Sequence, residues 1–333
     1  MADKTPCEQL ATFIGAPGSK SIADIFEVLT DEDEAKFLLA ASPPGSVAEI
    51  AERTGLAAES IEKMVDPLFR KGLLFKSKKP DATRYYRVRH VLQFHDATAV
   101  ALDPPQEMLT LWKQYMEEEF DAYAKKMEAA LPGAIMRVIP VNESVESSSQ
   151  VMAFEDLEKL VAGADKFAVT KCSCRVIDGA CGKPLDVCLQ INRAAEYAIE
   201  RGTGRELTKR ETLEMLLRCE EDGLVHVADN QRSLGHVICN CCGDCCLNWT
   251  SIRGGLGKMV APSRFRAEVE ADDCTGCELC VERCYFDAML MDDETGVAVV
   301  ETENCLGCGL CQVVCPTDAI GLQLARSEEF IPA

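Results

Sequence analysis

The sequence lacks the segments and motifs that mark membrane proteins and nucleotide-binding enzymes. No uninterrupted apolar run approaches the ~18–20 residues that a membrane helix needs, and residues 1–5 contain no apolar core of a signal peptide. The glycine-containing stretches at 15–21, 202–204 and 254–258 match neither a P-loop nor a dinucleotide fingerprint. We therefore expect a cytoplasmic chain and find no case for ATP, NAD or flavin as a ligand.

Basic residues are also scarce. Lys and Arg total 35 against 55 Asp and Glu, which gives a net charge of −20. Nucleic acid binding needs a basic surface, so this balance argues against nucleic acid as the main partner. The chain has 333 residues, 47% of them hydrophobic and 27% charged, which indicates about two or three globular domains.

Cysteine is the residue in excess. There are 19 cysteines, an odd number that rules out complete disulfide pairing within the chain. After Cys7 none occurs until Cys172, and the rest fall into two groups, ten at 172–246 and eight at 274–315. Cytoplasmic thiols stay reduced, so these groups indicate metal binding or catalysis.

The first 100 residues have a pattern of helices followed by a hairpin. Apolar spacing predicts a helix over 23–40 and a second from Ser46, which forms a capping box with Glu49. A third helix over 58–71 ends at Gly72, and two strands flank a polar loop at 77–83. Residues 46–88 resemble bacterial winged-helix domains, and this resemblance implies a winged helix over 1–100.

A longer helix is predicted next, and then a mixed region. Apolar residues recur at spacings of three and four over 107–131, which predicts one amphipathic helix that either packs on the core or forms a homodimer seam. Residues 134–262 alternate strands and helices, with a loop at 147–149, a helix over 186–201, and a capping box from Thr208 to Glu211.

The eight C-terminal cysteines form an internal repeat. Each run has the spacing C-x2-C-x2-C-x3-C, and the second run is the first shifted by 31 residues. The repeat resembles the bacterial ferredoxin that holds two [4Fe–4S] clusters. There, three cysteines of each run bind one cluster and the fourth binds the other. The expected ligands are Cys274, Cys277, Cys280 and Cys315 for cluster one, and Cys305, Cys308, Cys311 and Cys284 for cluster two. One departure is Tyr285, which stands where the family run has Pro. A pair of zinc sites is the competing interpretation.

The middle region has nine further cysteines in two tight groups, and we interpret them as ligands of one or two more iron–sulfur clusters. In a two-cluster arrangement each group supplies one set, whereas in a one-cluster arrangement the ligands come from both groups. Zinc and redox-active thiols are the alternatives. The layout of these cysteines resembles that of multi-cluster iron–sulfur proteins of anaerobes. This resemblance implies a redox function but does not identify a reaction. We expect Cys7 and Cys219 to be plain core residues. The groups are Cys172, Cys174, Cys181 and Cys188, then Cys239, Cys241, Cys242, Cys245 and Cys246.

The sequence thus predicts a multidomain α+β protein. Its expected parts are a winged helix (1–100), a connecting helix (101–133), a small cysteine-rich α/β domain (134–262) and a ferredoxin-like two-cluster domain of βαββαβ type (263–333). Residues 265–333 carry three basic and fifteen acidic residues, a net charge of −12, which would steer a redox partner with a basic docking surface.

Three functions are consistent with these parts. The first is an electron-transfer protein or subunit that passes single electrons through at least three clusters in an anaerobic cytoplasm. The second is a redox-sensing transcription regulator, because residues 70–89 carry a net charge of +7 in the hairpin region. The third is a reductase with an open-site middle cluster. No catalytic residue is identified, and the acidic residues of the 58–71 helix favour protein docking over DNA reading by the winged helix.

Overall fold

The computed structural model describes residues 4–141, 155–233 and 235–333. The chain divides into two compact units. One comprises Met1–Met127, Ser173–Gly179 and Arg201–Thr203, and the other comprises Glu128–Cys172, Ala180–Glu200 and Gly204–Ala333. The predicted boundary at 262/263 therefore lies inside the second unit, and the loop predicted at 147–149 lies outside the described residues.

The first unit contains mostly helices and one hairpin. Its hairpin strands pair antiparallel from Leu74 opposite Arg87 to Lys78 opposite Thr83. The Ser46–Glu49 capping box and the stop at Gly72 are confirmed. The elements are α1 (Pro6–Phe13), α2 (Lys20–Leu29), α3 (Glu32–Ala40), α4 (Val47–Thr54), α5 (Ala58–Lys71), β1 (Leu74–Lys78), β2 (Thr83–Arg87), α6 (Val91–Ala99), α7 (Gln106–Glu118) and α8 (Phe120–Ala130).

Two helices were each predicted as continuous in this region, and the structure divides each of them into two helices. The helix predicted over 23–40 is interrupted, because Asp31 caps a new helix by accepting a hydrogen bond from the Glu34 backbone at 2.8 Å. The helix predicted over 107–131 is broken at Glu119, whose carboxylate accepts a hydrogen bond from the backbone N–H of Ser21. Apolar spacing does not predict either helix break, because the apolar face continues across both breaks.

The core of the first unit is aromatic. Phe26 and Phe94 stack with ring centroids 4.2 Å apart, and Trp112 meets Phe94 edge-on at 5.1 Å. Trp112 donates its indole N–H to Thr98 at 3.0 Å, which satisfies the buried polar end of the ring. The apolar face of α7 therefore packs within its own unit.

The second unit is built on a seven-stranded sheet of order β6-β4-β5-β8-β7-β3-β9. All neighbours pair antiparallel except β3 and β9. Helices α9 and α12 supply apolar residues to one core cluster together with β4, β5 and β8. The elements are β3 (Met136–Ile139), α9 (Leu157–Ala162), β4 (Phe167–Lys171), α10 (Ser173–Asp178, counted with the first unit), β5 (Asp186–Ile191), α11 (Arg193–Arg201), β6 (Gly204–Leu207), α12 (Lys209–Glu221), β7 (Val225–Asp229), β8 (Val237–Cys241), α13 (Leu247–Arg253) and β9 (Val260–Ala261).

One element of this sheet corrects the sequence prediction. Residues 186–191 form a strand, whereas a helix was predicted over 186–201. Val187, Leu189 and Ile191 alternate with less buried residues, so they face the core cluster with the period of a strand. The correction matters because it places Cys188 on a strand of the central sheet.

The C-terminal part of the second unit has the order βαββαβ. It comprises β10 (Phe265–Val269), α14 (Leu279–Arg283), β11 (Met289–Met291), β12 (Ala298–Val300), α15 (Leu310–Val313) and β13 (Ile320–Leu324), followed by a 3-10 turn (Glu328–Phe330). Strand β10 pairs antiparallel with β13, and β11 with β12. The 31-residue repeat is also present in the backbone, because Gly276 and Gly307 have φ of 68° and 66° and Asp287 and Asp318 both have 53°.

Candidate metal centres

Four of the C-terminal cysteines line one cavity. Cys274 and Cys277 lie in the loop that leads into α14, Cys280 lies in the first turn of α14, and Cys315 follows α15 in the other half of the repeat. The cavity holds about 330 Å³ of empty space, part of it open to solvent. Four soft thiols around one space are a donor set that fits an iron–sulfur cluster.

The other four C-terminal cysteines line a second cavity of similar size. Cys305 and Cys308 lie in the loop before α15, Cys311 lies in the first turn of α15, and Cys284 follows α14. This cavity holds about 390 Å³ of empty space. Each cavity therefore combines three cysteines of one run with the fourth cysteine of the other run.

The two cavities differ in exposure although their loops repeat. Cys277, Glu278 and Leu279 are exposed, whereas their counterpart Cys308 is half-buried and their counterparts Gly309 and Leu310 are buried. Hydrogen bonds from the rest of the unit cover the second loop. The Val141 backbone donates to the Cys308 carbonyl at 2.9 Å, and the Ser263 hydroxyl donates to the Gly307 carbonyl at 2.7 Å.

The sulfur atoms lie in contrasting environments. Burial raises the pKa of the Cys308 thiol to about 12. Burial also opposes ionisation of Cys315, but hydrogen bonds from Thr317 and from the backbone of Ala319 and Ile320 lower the pKa of that thiol. In the first cavity the Ala298 backbone also donates to Cys274 Sγ at 3.5 Å. Such N–H groups stabilise negative charge on a ligating sulfur.

Tyr285, the departure from the family run, joins the second cavity to the middle cysteines. It lines that cavity, and its hydroxyl donates to the Gly223 carbonyl at 2.8 Å. Its ring lies on Gly243, where a β-carbon would overlap the ring. Burial raises the pKa of Tyr285, and negative charge on Cys242 or Cys308 adds to that rise. The Tyr285 side chain therefore packs between the second cavity and the segment that carries the middle cysteines.

Three middle cysteines from different parts of the sequence converge. The Sγ atoms of Cys181, Cys242 and Cys245 all lie within 4.8 Å of one another. Cys172, which follows β4, packs against the same apolar cluster as these three. The structure thus brings cysteines of both sequence groups together, which matches the mixed ligand origin of the one-cluster arrangement and differs from the two-cluster arrangement in which each group supplies its own site.

A second set lies on the strands themselves. Cys239 and Cys241 are two residues apart on β8, and Cys241 hydrogen-bonds with Cys239 and Cys246. These hydrogen bonds, together with burial, raise the pKa of the Cys241 thiol well above its usual value. Cys188 lies on β5 and accepts a hydrogen bond from Gln190 at 3.1 Å. Cys174 lies in α10, within the segment counted with the first unit.

The contacts of Cys7, Cys219 and His226 are those of structural residues. Cys7 and Cys219 are buried on helices, as predicted. His226 is buried and contacts Asn240 Oδ1 at 2.6 Å and Glu220 Oε1 at 3.1 Å. Asn240 in turn donates to the Val187 carbonyl. This network ties β7 to β5 and β8, the two strands that carry cysteines, and it agrees with the structural role that is usual for a histidine on a strand.

Comparison with known proteins gives one match. Residues 267–322 match the family model described as a 4Fe-4S dicluster domain, and this range contains all eight cysteines of the repeat. A search of curated proteins and of solved structures found no match to the chain. The C-terminal part is therefore a ferredoxin-type dicluster domain, and the cysteine content of the chain is that of an iron–sulfur protein. Within the described residues no helix has the length and apolar character needed to cross a membrane.

Proposed function

We propose that this chain is an iron–sulfur electron-transfer protein or subunit with at least three clusters. The observation that carries the proposal is the make-up of the two C-terminal cavities, each lined by three cysteines of one run and one of the other. In this proposal Cys274, Cys277, Cys280 and Cys315 hold the first cluster, and Cys284, Cys305, Cys308 and Cys311 hold the second. Thiolate-bound clusters supply one-electron chemistry when present.

From the difference in exposure we infer different roles for the two cavities. The first lies under an exposed loop that contains Cys277 and Glu278, next to Asp272 and Asp273. A partner with a basic docking surface would approach there, since opposite charges steer the encounter. The buried loop of the second cavity instead contacts the rest of its own unit. We therefore place the exchange with a partner at the first cavity.

The contacts of Tyr285 connect the second cavity with the middle cysteines, so electrons could pass between the clusters there. Its ring lies on Gly243, between Cys242 and Asp244 in the sequence, and the next residue, Phe286, meets Trp249 edge-on at 5.0 Å. These contacts hold the cysteine segment 239–246 against the wall of the second cavity. The third cluster of the proposal belongs to these middle cysteines.

For the first unit we propose a winged helix that docks proteins. Several basic side chains of the hairpin region already pair within the unit: Arg70 with Asp66 at 2.8 Å, and Arg84 with Glu49 at 3.0 Å. Lys76 lies over the Phe69 ring at 3.7 Å. Pairing of this kind reduces the positive charge available to phosphates. It therefore supports protein docking more than DNA reading.

The experiment compares two double variants of the full chain purified without oxygen. Cys277→Ala with Cys315→Ala removes two cysteines of one cavity, so about four irons per chain should be lost. Cys277→Ala with Cys284→Ala removes one cysteine from each cavity, so up to about eight irons should be lost. Dithionite should also reduce the wild-type chain reversibly, and an oxidising dye added without oxygen should reoxidise it.

The opposite ranking of the two variants would show that each run holds its own cluster. A colourless wild-type chain that contains zinc would refute the electron-transfer function altogether. A gel shift with duplex DNA at low salt would support the alternative function of a transcription regulator. Oxidation of the reduced chain that depends on an added substrate would support the alternative function of a reductase.

A further inference from the structure

The sheet of the second unit separates the middle cysteines by face. Successive side chains of a strand point to opposite faces, so Cys239 and Cys241 share one face of β8 and Ile238 points to the other. Ile238 belongs to the apolar cluster beneath α12, together with Cys242 just after the strand. Cys239 and Cys241 therefore point away from that cluster, and Cys242 packs within it.

Pairing between strands adds Cys188 to the outer set. Leu189 lies opposite Ile238 in the antiparallel pair of β5 and β8, and both belong to the apolar cluster. Continuing that register by one residue places Cys188 opposite Cys239, on the face away from the cluster. Cys241 also interacts with Cys246, which stands at the N-cap of α13 just after the strand, so Cys246 adds a fourth sulfur beside Cys241.

The inner set lies on the opposite face. Cys242 and Cys245 have the C-x2-C spacing at the end of β8, and their Sγ atoms lie within 4.8 Å of Cys181 Sγ. Cys172 packs against the same apolar cluster as Cys181 and Cys245. Each set thus has four thiols and draws them from both sequence groups, just as the ferredoxin cavities draw on both runs.

We propose that these cysteines form two separate iron–sulfur sites on opposite faces of the sheet. The inner site comprises Cys172, Cys181, Cys242 and Cys245, and the outer site comprises Cys188, Cys239, Cys241 and Cys246. Four soft thiolates suit a cluster with four iron corners. The proposal rests on the proposed iron–sulfur function for the identity of the metal, and it brings the chain to four clusters.

The structure also holds the two sites at a constant separation. They share β8, so the inner and outer ligands are adjacent in sequence at Cys241 and Cys242. The hydrogen bonds of Asn240 to His226 and to the Val187 carbonyl join β5 and β8, which carry three of the four outer cysteines, to the neighbouring strand β7. Rigid support of this kind places ligands before the metal binds.

The test measures iron, acid-labile sulfide and zinc per full-length chain purified without oxygen. Wild type should contain about 16 irons, one set of four for each of four clusters. Cys181→Ala with Cys242→Ala should lose about four irons and four sulfides, and Cys239→Ala with Cys241→Ala should lose another four. The quadruple variant should lose about eight, because separate sites add. Cys7→Ala with Cys219→Ala, which changes two buried core cysteines, is the matched control and should lose none.

Several outcomes would overturn the two-site proposal. A quadruple variant that loses no more iron than either double variant would show one shared cluster. Loss of zinc without iron from either double variant would make that site a zinc site. Circular dichroism and the eight irons of the ferredoxin domain show whether each variant folds. If a double variant fails to fold, Cys242→Ala and Cys239→Ala alone replace it in the same comparison. A wild-type chain without iron would instead refute the proposed function itself.

Discussion

The buried ion pair of Glu155 and Arg264 gives the most direct test of how the ferredoxin segment is anchored. Arg264 stands just before β10 and donates to both carboxylate oxygens of Glu155, at 2.8 and 2.7 Å. Both side chains are buried, with relative exposures of 4% for Arg264 and 1% for Glu155. Glu155→Gln keeps the shape of the side chain and removes its charge, so the guanidinium stays buried beside a neutral amide.

The expected cost follows from that burial. Removing one partner of a buried pair destabilises a protein by about 3–5 kcal/mol, because the other charge remains desolvated. We expect about 3 kcal/mol here, since the amide oxygen of Gln still accepts a hydrogen bond. With a urea dependence of about 2 kcal/mol per molar, the unfolding midpoint of the second unit should fall by about 1.5 M.

The assay is urea unfolding of the full chain without oxygen, followed by iron–sulfur absorbance for the second unit and by circular dichroism. Glu214→Gln is the matched control, because Glu214 pairs with Arg210 at 2.6 Å on the surface. An exposed pair contributes about 1 kcal/mol or less. Equal shifts for the two variants would show that the buried pair does not anchor the segment, and would refute this reasoning.

Three further predictions concern the cavities. Tyr285→Phe removes the hydrogen bond to the Gly223 carbonyl and should cost about 1 kcal/mol in urea unfolding while iron content stays unchanged; a larger loss would give the hydroxyl another role. Gly307→Ala should release about four irons, because a β-carbon there overlaps the Phe265 carbonyl at a left-handed φ, whereas Gly321→Ala, which meets nothing within 4 Å, should release none. Removing iron with a chelator should expose 263–333 to proteolysis before the first unit, since cysteines form much of its small core; equal cleavage rates would contradict this.

Local signals along the chain were sufficient for several elements. The capping boxes at Ser46 and Thr208 depend on side chains three residues apart, and both are present. The stop at Gly72 depends on a single left-handed residue. At the break, by contrast, Glu119 contacts Ser21, nearly a hundred residues away in the sequence, and local spacing carries no signal of such a contact. Apolar spacing therefore predicted one helix where the structure has two.

The same contrast applies to the cysteines. The cysteines of residues 274–315 occur in two closely spaced repeats, so the spacing and the crossing of ligands that the ferredoxin resemblance implies were enough to predict two sets of four, and each set lines one cavity. The middle cysteines have no such repeat. Their grouping depends on the strand faces that Cys188, Cys239 and Cys241 occupy and on the loops that bring Cys181 beside Cys242 and Cys245, and the strand at 186–191 was not predicted.

The sequence by itself determined which residues can supply soft ligands in the C-terminal part, because the cysteine repeat is a short-range spacing, and the resemblance to two-cluster ferredoxins implied the βαββαβ order. Only the tertiary structure decided which middle cysteines meet, which ferredoxin loop is buried, and why a tyrosine stands at 285. Each of these depends on segments far apart in the sequence, and strand register and packing between layers bring them together.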